Sequence, residues 1–207
     1  FFNIAPNQDV TVTALATSNE GSGAIGEYRH RFLSSSLDAT ASMVLGDRED
    51  DFRGHIDAES RFSINDTWRL GFDLNRATDD TYLRRYGFSS GNSLNSRLFT
   101  EGFRKRNYLA VNAYAFQGLQ EKDDAGLEPL ILPIIDFNHI GHPDRFGGQT
   151  VLDVNLLSLT RDEGADTRRL SIRPGWQLPF LGPLGDAYKL SLSVLGDFYL
   201  VDELAKD

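Results

Sequence analysis

Apolar and polar side chains alternate with a period of two over most of this chain. In the clearest segment the apolar positions are Trp68, Leu70, Phe72 and Leu74, with polar residues or glycine between them. Successive side chains of an extended strand point to opposite faces, so this alternation predicts strands rather than helices. We predict eleven strands, at residues 8–17, 24–33, 35–46, 52–64, 68–78, 94–106, 108–119, 130–140, 149–161, 168–178 and 188–200.

The connections between these strands alternate in length. The short ones are at 34–36, 65–67 and 107, and the longer polar ones are at 19–23, 47–51, 79–93, 120–129 and 162–166. Two later connections on the short side, 141–148 and 179–187, are longer than this rule requires. Outer-membrane barrels have short turns at one end and long loops at the other. The pattern therefore favours an all-β fold, an antiparallel transmembrane β-barrel of which this chain holds about eleven strands.

Charged residues follow one side of two predicted strands. They are Glu27, Arg29 and Arg31 on the strand at 24–33, and Asp57, Glu59 and Arg61 on the strand at 52–64. An Arg or Lys facing lipid near the membrane midplane costs about 2–4 kcal/mol, so in a barrel these rows must face a wet lumen. The alternative is the solvated outer face of a soluble sheet.

Composition excludes several other classes of protein. The 207 residues are 40% hydrophobic and 25% charged, as in a folded domain. The net charge of −9 argues against nucleic-acid binding, which requires a basic face. The absence of cysteine excludes disulfides and thiolate sites within these residues. The longest uncharged stretch, 107–120, is shorter than the roughly 20 apolar residues of a transmembrane helix.

No motif predicts catalysis, a cofactor or a metal. Residues 21–26 match the Gly-x-Gly-x-x-Gly pattern, but a dinucleotide fold also needs a following helix, so a hairpin loop is the better interpretation. Residues three apart on a strand face opposite ways, which argues against a metal site at Asp136, His139 and His142. A Gly-x-Ser-x-Gly nucleophile elbow is missing. We expect a protein that is not an enzyme.

The first thirteen residues, FFNIAPNQDVTVT, are similar to the opening barrel strand of the lipopolysaccharide-assembly outer-membrane protein family. That family shows an aromatic-Asn-Ile-Ala-Pro-Asn-x-Asp-x-Thr-x-Thr pattern. Weaker matches follow in family order at 27–29, 68–69, 80–86, 101–103, 152–155, 161–166 and 175–176. The resemblance spans nearly the whole chain. One departure is Ala14, which stands where the family has a second proline.

The resemblance implies a periplasmic jelly-roll domain followed by a barrel of about 26 strands. Residues 1–207 are then part of a single outer-membrane barrel domain, and we expect the jelly-roll and the other strands outside this piece. The implied partners are lipopolysaccharide, a plug lipoprotein in the lumen and periplasmic lipopolysaccharide bridge proteins. The implied function is translocation of lipopolysaccharide and its insertion into the outer leaflet.

The family also implies that the first strand, about residues 9–17, forms one edge of a lateral gate. Pro6 has no N–H to donate to a strand ladder, and the short side chains of Ala14 and Ala16 give little packing across strands. The alternative is that Pro6 only marks entry into an ordinary strand. The candidate gate residues are Pro6, Asp9, Val10, Val12, Ala14 and Ala16.

Two other functions are also compatible with the sequence pattern. One is a soluble or surface all-β module that binds carbohydrate or calcium through acidic loops such as 47–51 and the aromatic residues. The other is a diffusion porin, which requires only the barrel and its polar lumen.

Overall fold

A computed structural model of the chain describes residues 1–16, 21–45 and 52–203, which form one antiparallel sheet of thirteen strands. The strands are β1 (Phe2–Ala5), β2 (Gln8–Ala16), β3 (Ser22–Arg31), β4 (Ser35–Leu45), β5 (Phe52–Ser63), β6 (Trp68–Ala77), β7 (Ser93–Arg104), β8 (Asn107–Gly118), β9 (Leu130–Ile140), β10 (Gln149–Thr160), β11 (Ala165–Leu181), β12 (Ala187–Ser193) and β13 (Gly196–Glu203). One short helix, α1 (Tyr82–Arg85), and a 3-10 turn (Ala125–Leu127) interrupt the loops. Each strand from β1 to β11 pairs with the next in sequence, and β13 pairs with β11.

The pairing gives the sheet two chemically different faces. One row of paired residues across β3 to β6 consists of Glu27, Thr40, Asp57 and Asn75. We call the side of the sheet that these residues share the polar face. The opposite side, the apolar face, carries the alternate residues of each strand, such as Phe72 on β6. The period-two pattern of the sequence therefore separates the two faces as predicted, and the all-β antiparallel fold is confirmed.

The first predicted strand, 8–17, is confirmed as β2 (Gln8–Ala16), but the residues before it form a separate strand, β1, that the pattern does not predict. Residues 1–13 are not one strand, because Pro6 and Asn7 form a turn and β1 folds back on β2, with Phe2 opposite Val10. Proline fits this position because its ring fixes φ and it has no N–H to leave unpaired. The Asn7 side chain donates to the carbonyl oxygen of Arg31 at 2.8 Å, which ties the turn to the end of β3.

The last predicted strand, 188–200, is also divided. Strand β11 is 17 residues long, and β12 and β13 pair with separate parts of it. The break lies opposite Pro174, whose carbonyl oxygen accepts from the N–H of Val194 at 3.1 Å. Because Pro174 has no N–H, it cannot donate a hydrogen bond to the carbonyl oxygen of Val194, and the regular ladder is interrupted there.

Connections of different length lie at the two ends of the sheet. The turn end carries the residues between β3 and β4, β5 and β6, and β7 and β8; the loop end carries 78–92 and 119–129. The eight-residue connection 141–148 is compact because the Asp144 carboxylate accepts from the N–H groups of Phe146 and Gly148 at 2.8 and 2.9 Å. These bonds, led by the one from Phe146, lower the pKa of Asp144. None of the helices in the described part of the chain is long and apolar enough to cross a membrane.

Candidate functional site

The structure brings the six charged residues proposed for the lumen together on the polar face. Three neighbouring rows across β3 to β6 contain them: Glu27–Thr40–Asp57–Asn75, Arg29–Asp38–Glu59–Asp73 and Arg31–Ser36–Arg61–Gly71. Side chains directly opposite one another on an antiparallel pair lie about 4.5–5.5 Å apart at Cβ. The six residues therefore form one continuous charged surface, and its assignment to a barrel lumen remains a prediction.

Ion pairs between strands connect this surface. Arg29 lies 2.9 Å from Asp9, Arg31 lies 2.8 Å from Asp38, and Arg61 lies 2.5 Å from Asp73. These side chains are between about a quarter and a little over half exposed. Exposed ion pairs contribute at most about 1 kcal/mol each. Their main effect is thus to make a strongly hydrophilic surface that carries charges of both signs, with acidic groups in excess.

The same chemistry continues on the later strands. Arg173 lies 2.9 Å from Asp153, and Asn138 donates to the same carboxylate. Arg169 donates to the side-chain oxygen of Asn155 at 2.6 Å. The polar face thus extends from β2 to β11.

An aromatic ring on the polar face departs from the polar pattern, and the structure gives the reason. Phe99 is 8% exposed, and the guanidinium carbons of Arg61 and Arg97 lie 5.2 and 4.3 Å from its ring centre. The ring lies over Gly71, where an added Cβ would approach Phe99 to 2.5 Å. Glycine at 71 therefore makes room for a ring that interacts with two cations.

The loop-end segment 78–92 folds onto the polar face rather than away from the sheet. Its helix α1 buries Tyr82, which is 0% exposed, and Leu83, which is 3% exposed. They pack with Val44, Leu94 and Leu119 into the main cluster of buried apolar residues. We call residues 78–92 the docked loop.

Polar contacts hold Tyr82 in place. Its hydroxyl oxygen lies 2.6 Å from Ser42 Oγ, which lies 2.5 Å from His55 Nδ1. The buried hydroxyl is thus satisfied by a short chain of hydrogen bonds, as a buried polar group requires.

An ion pair fixes the start of the docked loop. The Arg53 guanidinium donates to both oxygens of Asp79, at 2.8 and 2.5 Å, and Asp79 Oδ1 accepts from the N–H groups of Thr81 and Tyr82. The hydrogen bond from Arg53 lowers the pKa of Asp79 well below its ordinary value. This contact stabilises the fold above the ordinary pKa of aspartate, and its contribution is lost as the pH falls toward the lowered pKa.

The sequence pattern does not predict the docked loop, and residues 80–86 stand out only through their resemblance to the family. One signal was present, because Tyr82, Leu83, Tyr86 and Phe88 are large apolar residues concentrated in a single connection. Polar loops rarely carry so many such residues unless they bury them. Their partners Ser42 and His55 are distant in sequence and carried no signal.

The proposed gate residues are divided between the two faces and the turn. Asp9 lies on the polar face with Arg29, whereas Val10, Val12, Ala14 and Ala16 lie on the opposite, apolar face of β2. Pro6 lies in the turn before β2. Strand β1 pairs with residues 8–10 only, so within the described residues the outer edge of β2 is open from Thr11 onward.

The weaker motifs take ordinary structural positions. Gly23 and Gly26 of the Gly-x-Gly-x-x-Gly pattern lie within strand β3, and His139 Nδ1 lies 2.7 Å from the Asn107 side-chain oxygen. In the described part of the chain, no three His, Asp or Glu side chains are grouped to hold a metal ion. The acidic loop 47–51 lies outside the described residues.

Comparison with known proteins gives a consistent family. The family model "LptD: LPS transport system D" matches residues 51–207. LPS-assembly protein LptD of Nitrosococcus oceani is 30% identical over 98% of this chain and 28% of its own length. The LptD protein of Actinobacillus pleuropneumoniae serotype 5b is 28% identical over 89% of this chain and 25% of its own length. That of Escherichia coli K12 is 27% identical over 86% of this chain and 24% of its own length. The chain thus spans about a quarter of these relatives.

Proposed function

The chain belongs to the LptD family, LPS transport system D, and from this membership we propose that its protein translocates lipopolysaccharide and inserts it into the outer leaflet of the Gram-negative outer membrane. In this proposal residues 1–207 are part of a single barrel domain, with the polar face toward the lumen and the apolar face toward lipid. The family is a transport system, so the expectation that the chain is not an enzyme is confirmed.

The two-faced sheet is the observation that carries the proposal. Lipopolysaccharide has a charged saccharide head and several acyl chains, so neither a wholly polar nor a wholly apolar path suits it. The polar face offers charge of both signs from β2 to β11, which suits a hydrated saccharide and its phosphates. The apolar face suits the surrounding acyl chains. A molecule that passes between the two environments must leave through the wall.

The open edge of β2 supports an exit at this strand. A barrel wall is closed by backbone hydrogen bonds, and an unpaired strand edge is the position where it can separate. Strand β1 and the Pro6 turn already occupy the edge at residues 8–10. We propose that the remaining edge of β2, with Val12, Ala14 and Ala16 toward lipid, faces the final strand of the barrel and forms a lateral gate.

Covalently joining the edge of β2 to the final strand of the barrel is expected to stop lipopolysaccharide delivery. A disulfide between Thr13→Cys and a cysteine in the final strand of the full-length protein would prevent the edge from separating. We expect loss of newly exported lipopolysaccharide from the cell surface and its recovery when a reductant is added. Surface labelling after a pulse measures this, and each single-cysteine variant is a control. Normal delivery while this disulfide is fully formed would place the exit elsewhere.

We further propose that a plug lipoprotein occupies part of the lumen and that periplasmic bridge proteins supply the lipopolysaccharide. Photo-crosslinkers in place of Glu27 or Asp57 are expected to capture the lipoprotein, because both positions lie on the polar face. A crosslinker in place of Phe62, on the other face of β5, is the matched control. Capture from Phe62 alone, detected by immunoblot, would mean that the faces are assigned the wrong way round.

A further inference from the structure

An open groove lies on the apolar face, near the loop end of strands β2 to β6. It encloses about 590 Å³, within the range of ligand-binding pockets. Large apolar side chains border it and are well exposed, with Val12 at 56%, Met43 at 47% and Phe52 at 58%. In a barrel wall, every second side chain of each strand faces lipid. That arrangement does not by itself require a depression of this size.

Small residues on adjacent strands form the floor of the groove. Ala24 and Gly26 of β3, Ala41 of β4 and Gly54 of β5 all contribute to its lining. A Cβ added at Gly26 would meet only the carbonyl oxygen of Ala41, at 4.0 Å. The sheet has room for a side chain at this position, so the depression exists because the sequence supplies none there.

The groove joins the edge of β2 to a cation. One row of paired residues runs Val12–Gly26–Ala41–Ile56–Arg76, from the proposed gate strand to β6. Arg76 lines the groove, and its Nη1 donates to the carbonyl oxygen of Phe116 at 3.0 Å. This bond holds the guanidinium, which has five N–H donors in all, at the border of an apolar surface.

We propose that this groove binds one acyl chain of lipopolysaccharide as the molecule leaves the edge of β2, with Arg76 pairing with a phosphate of its head group. The inference rests on the proposed function, because it requires the apolar face to lie in lipid. In an outer-membrane barrel the long loops are extracellular, which puts the loop end in the leaflet that receives lipopolysaccharide. An apolar channel beside a guanidinium is complementary to an acyl chain beside a phosphate.

Photo-crosslinking in cells that carry the full-length protein tests the proposal. Benzoylphenylalanine replaces Met43 in the groove or, as matched control, Ala115, which lies on the same face near the loop end of β8. We expect the Met43 adduct with lipopolysaccharide to exceed the Ala115 adduct by about fivefold, since a bound chain stays longer than a passing lipid. A third crosslinker in place of Asp57 reports lipopolysaccharide on the polar face.

Substitutions of Gly26, in the floor of the groove, and of Arg76 test the proposal further. Gly26→Trp fills the groove and should lower the Met43 adduct to the Ala115 level, whereas Gly26→Ala fits the space and should preserve it. Arg76→Gln should lower the adduct with lipopolysaccharide through loss of the phosphate contact. Persistence of the full adduct in Gly26→Trp would overturn the proposal.

The outcomes separate this inference from the proposed function. Capture of lipopolysaccharide at Asp57, with equal adducts at Met43 and Ala115, would refute the groove and leave the transport function standing. Phospholipid captured at Met43 in place of lipopolysaccharide would refute the groove in the same way. Capture at none of the three positions, from a correctly inserted protein, would contradict both proposals.

Discussion

Replacing Tyr82 with alanine is expected to lower the free energy of unfolding by about 3–5 kcal/mol, the range for removal of a buried aromatic ring. Tyr82 is 0% exposed, and its ring centre lies 4.9 Å from that of Tyr86 and 5.9 Å from those of His55 and Phe88. The substitution leaves a cavity beneath the docked loop and removes a hydrogen-bond partner from Ser42. Urea unfolding of the full-length protein in lipid vesicles measures the change.

Two variants of the same helix are controls for this prediction. Tyr82→Phe keeps the ring and should cost only about 0.5–1.5 kcal/mol, the net contribution of one hydrogen bond. Arg84→Ala alters an exposed side chain and should change stability by no more than about 0.5 kcal/mol. Equal effects of Tyr82→Ala and Arg84→Ala would show that the loop does not dock on the polar face.

Placing an arginine at Phe72 is expected to destabilise the membrane-inserted barrel by about 2–4 kcal/mol, because Phe72 lies on the apolar face. The matched control is Asn75→Arg on the same strand, since Asn75 lies on the polar face opposite Asp57 and the new cation gains a partner. Asp73 is a poorer control because it already pairs with Arg61 at 2.5 Å.

Reversible folding into vesicles over a urea series measures both arginine variants. Phe72→Leu should remain within about 1.5 kcal/mol of the parent, because it keeps an apolar side chain of similar size. Equal tolerance of arginine at Phe72 and Asn75 would contradict the membrane assignment of the two faces.

The sequence by itself determined the strands and their two faces. Alternation is a local property, since each residue's face follows from its neighbours along an extended chain. Alternation alone therefore predicts that the segments around Trp68–Leu74 and around Glu27 and Asp57 are strands, with apolar and charged side chains on opposite faces, and the pairing confirms it. The opening residues and the ordered later matches also led to the correct family.

Only the tertiary structure decided which strands pair, where a strand is interrupted and where the loops dock. The β1 hairpin, the break opposite Pro174 and the burial of Tyr82 against Ser42 and His55 depend on contacts between residues far apart in sequence. The groove arises in the same way, because Gly26, Ala41 and Gly54 become one floor only when three strands pair in a particular register. A local pattern sets the face on which a side chain lies, but the strand register sets its neighbours, and the neighbours create the site.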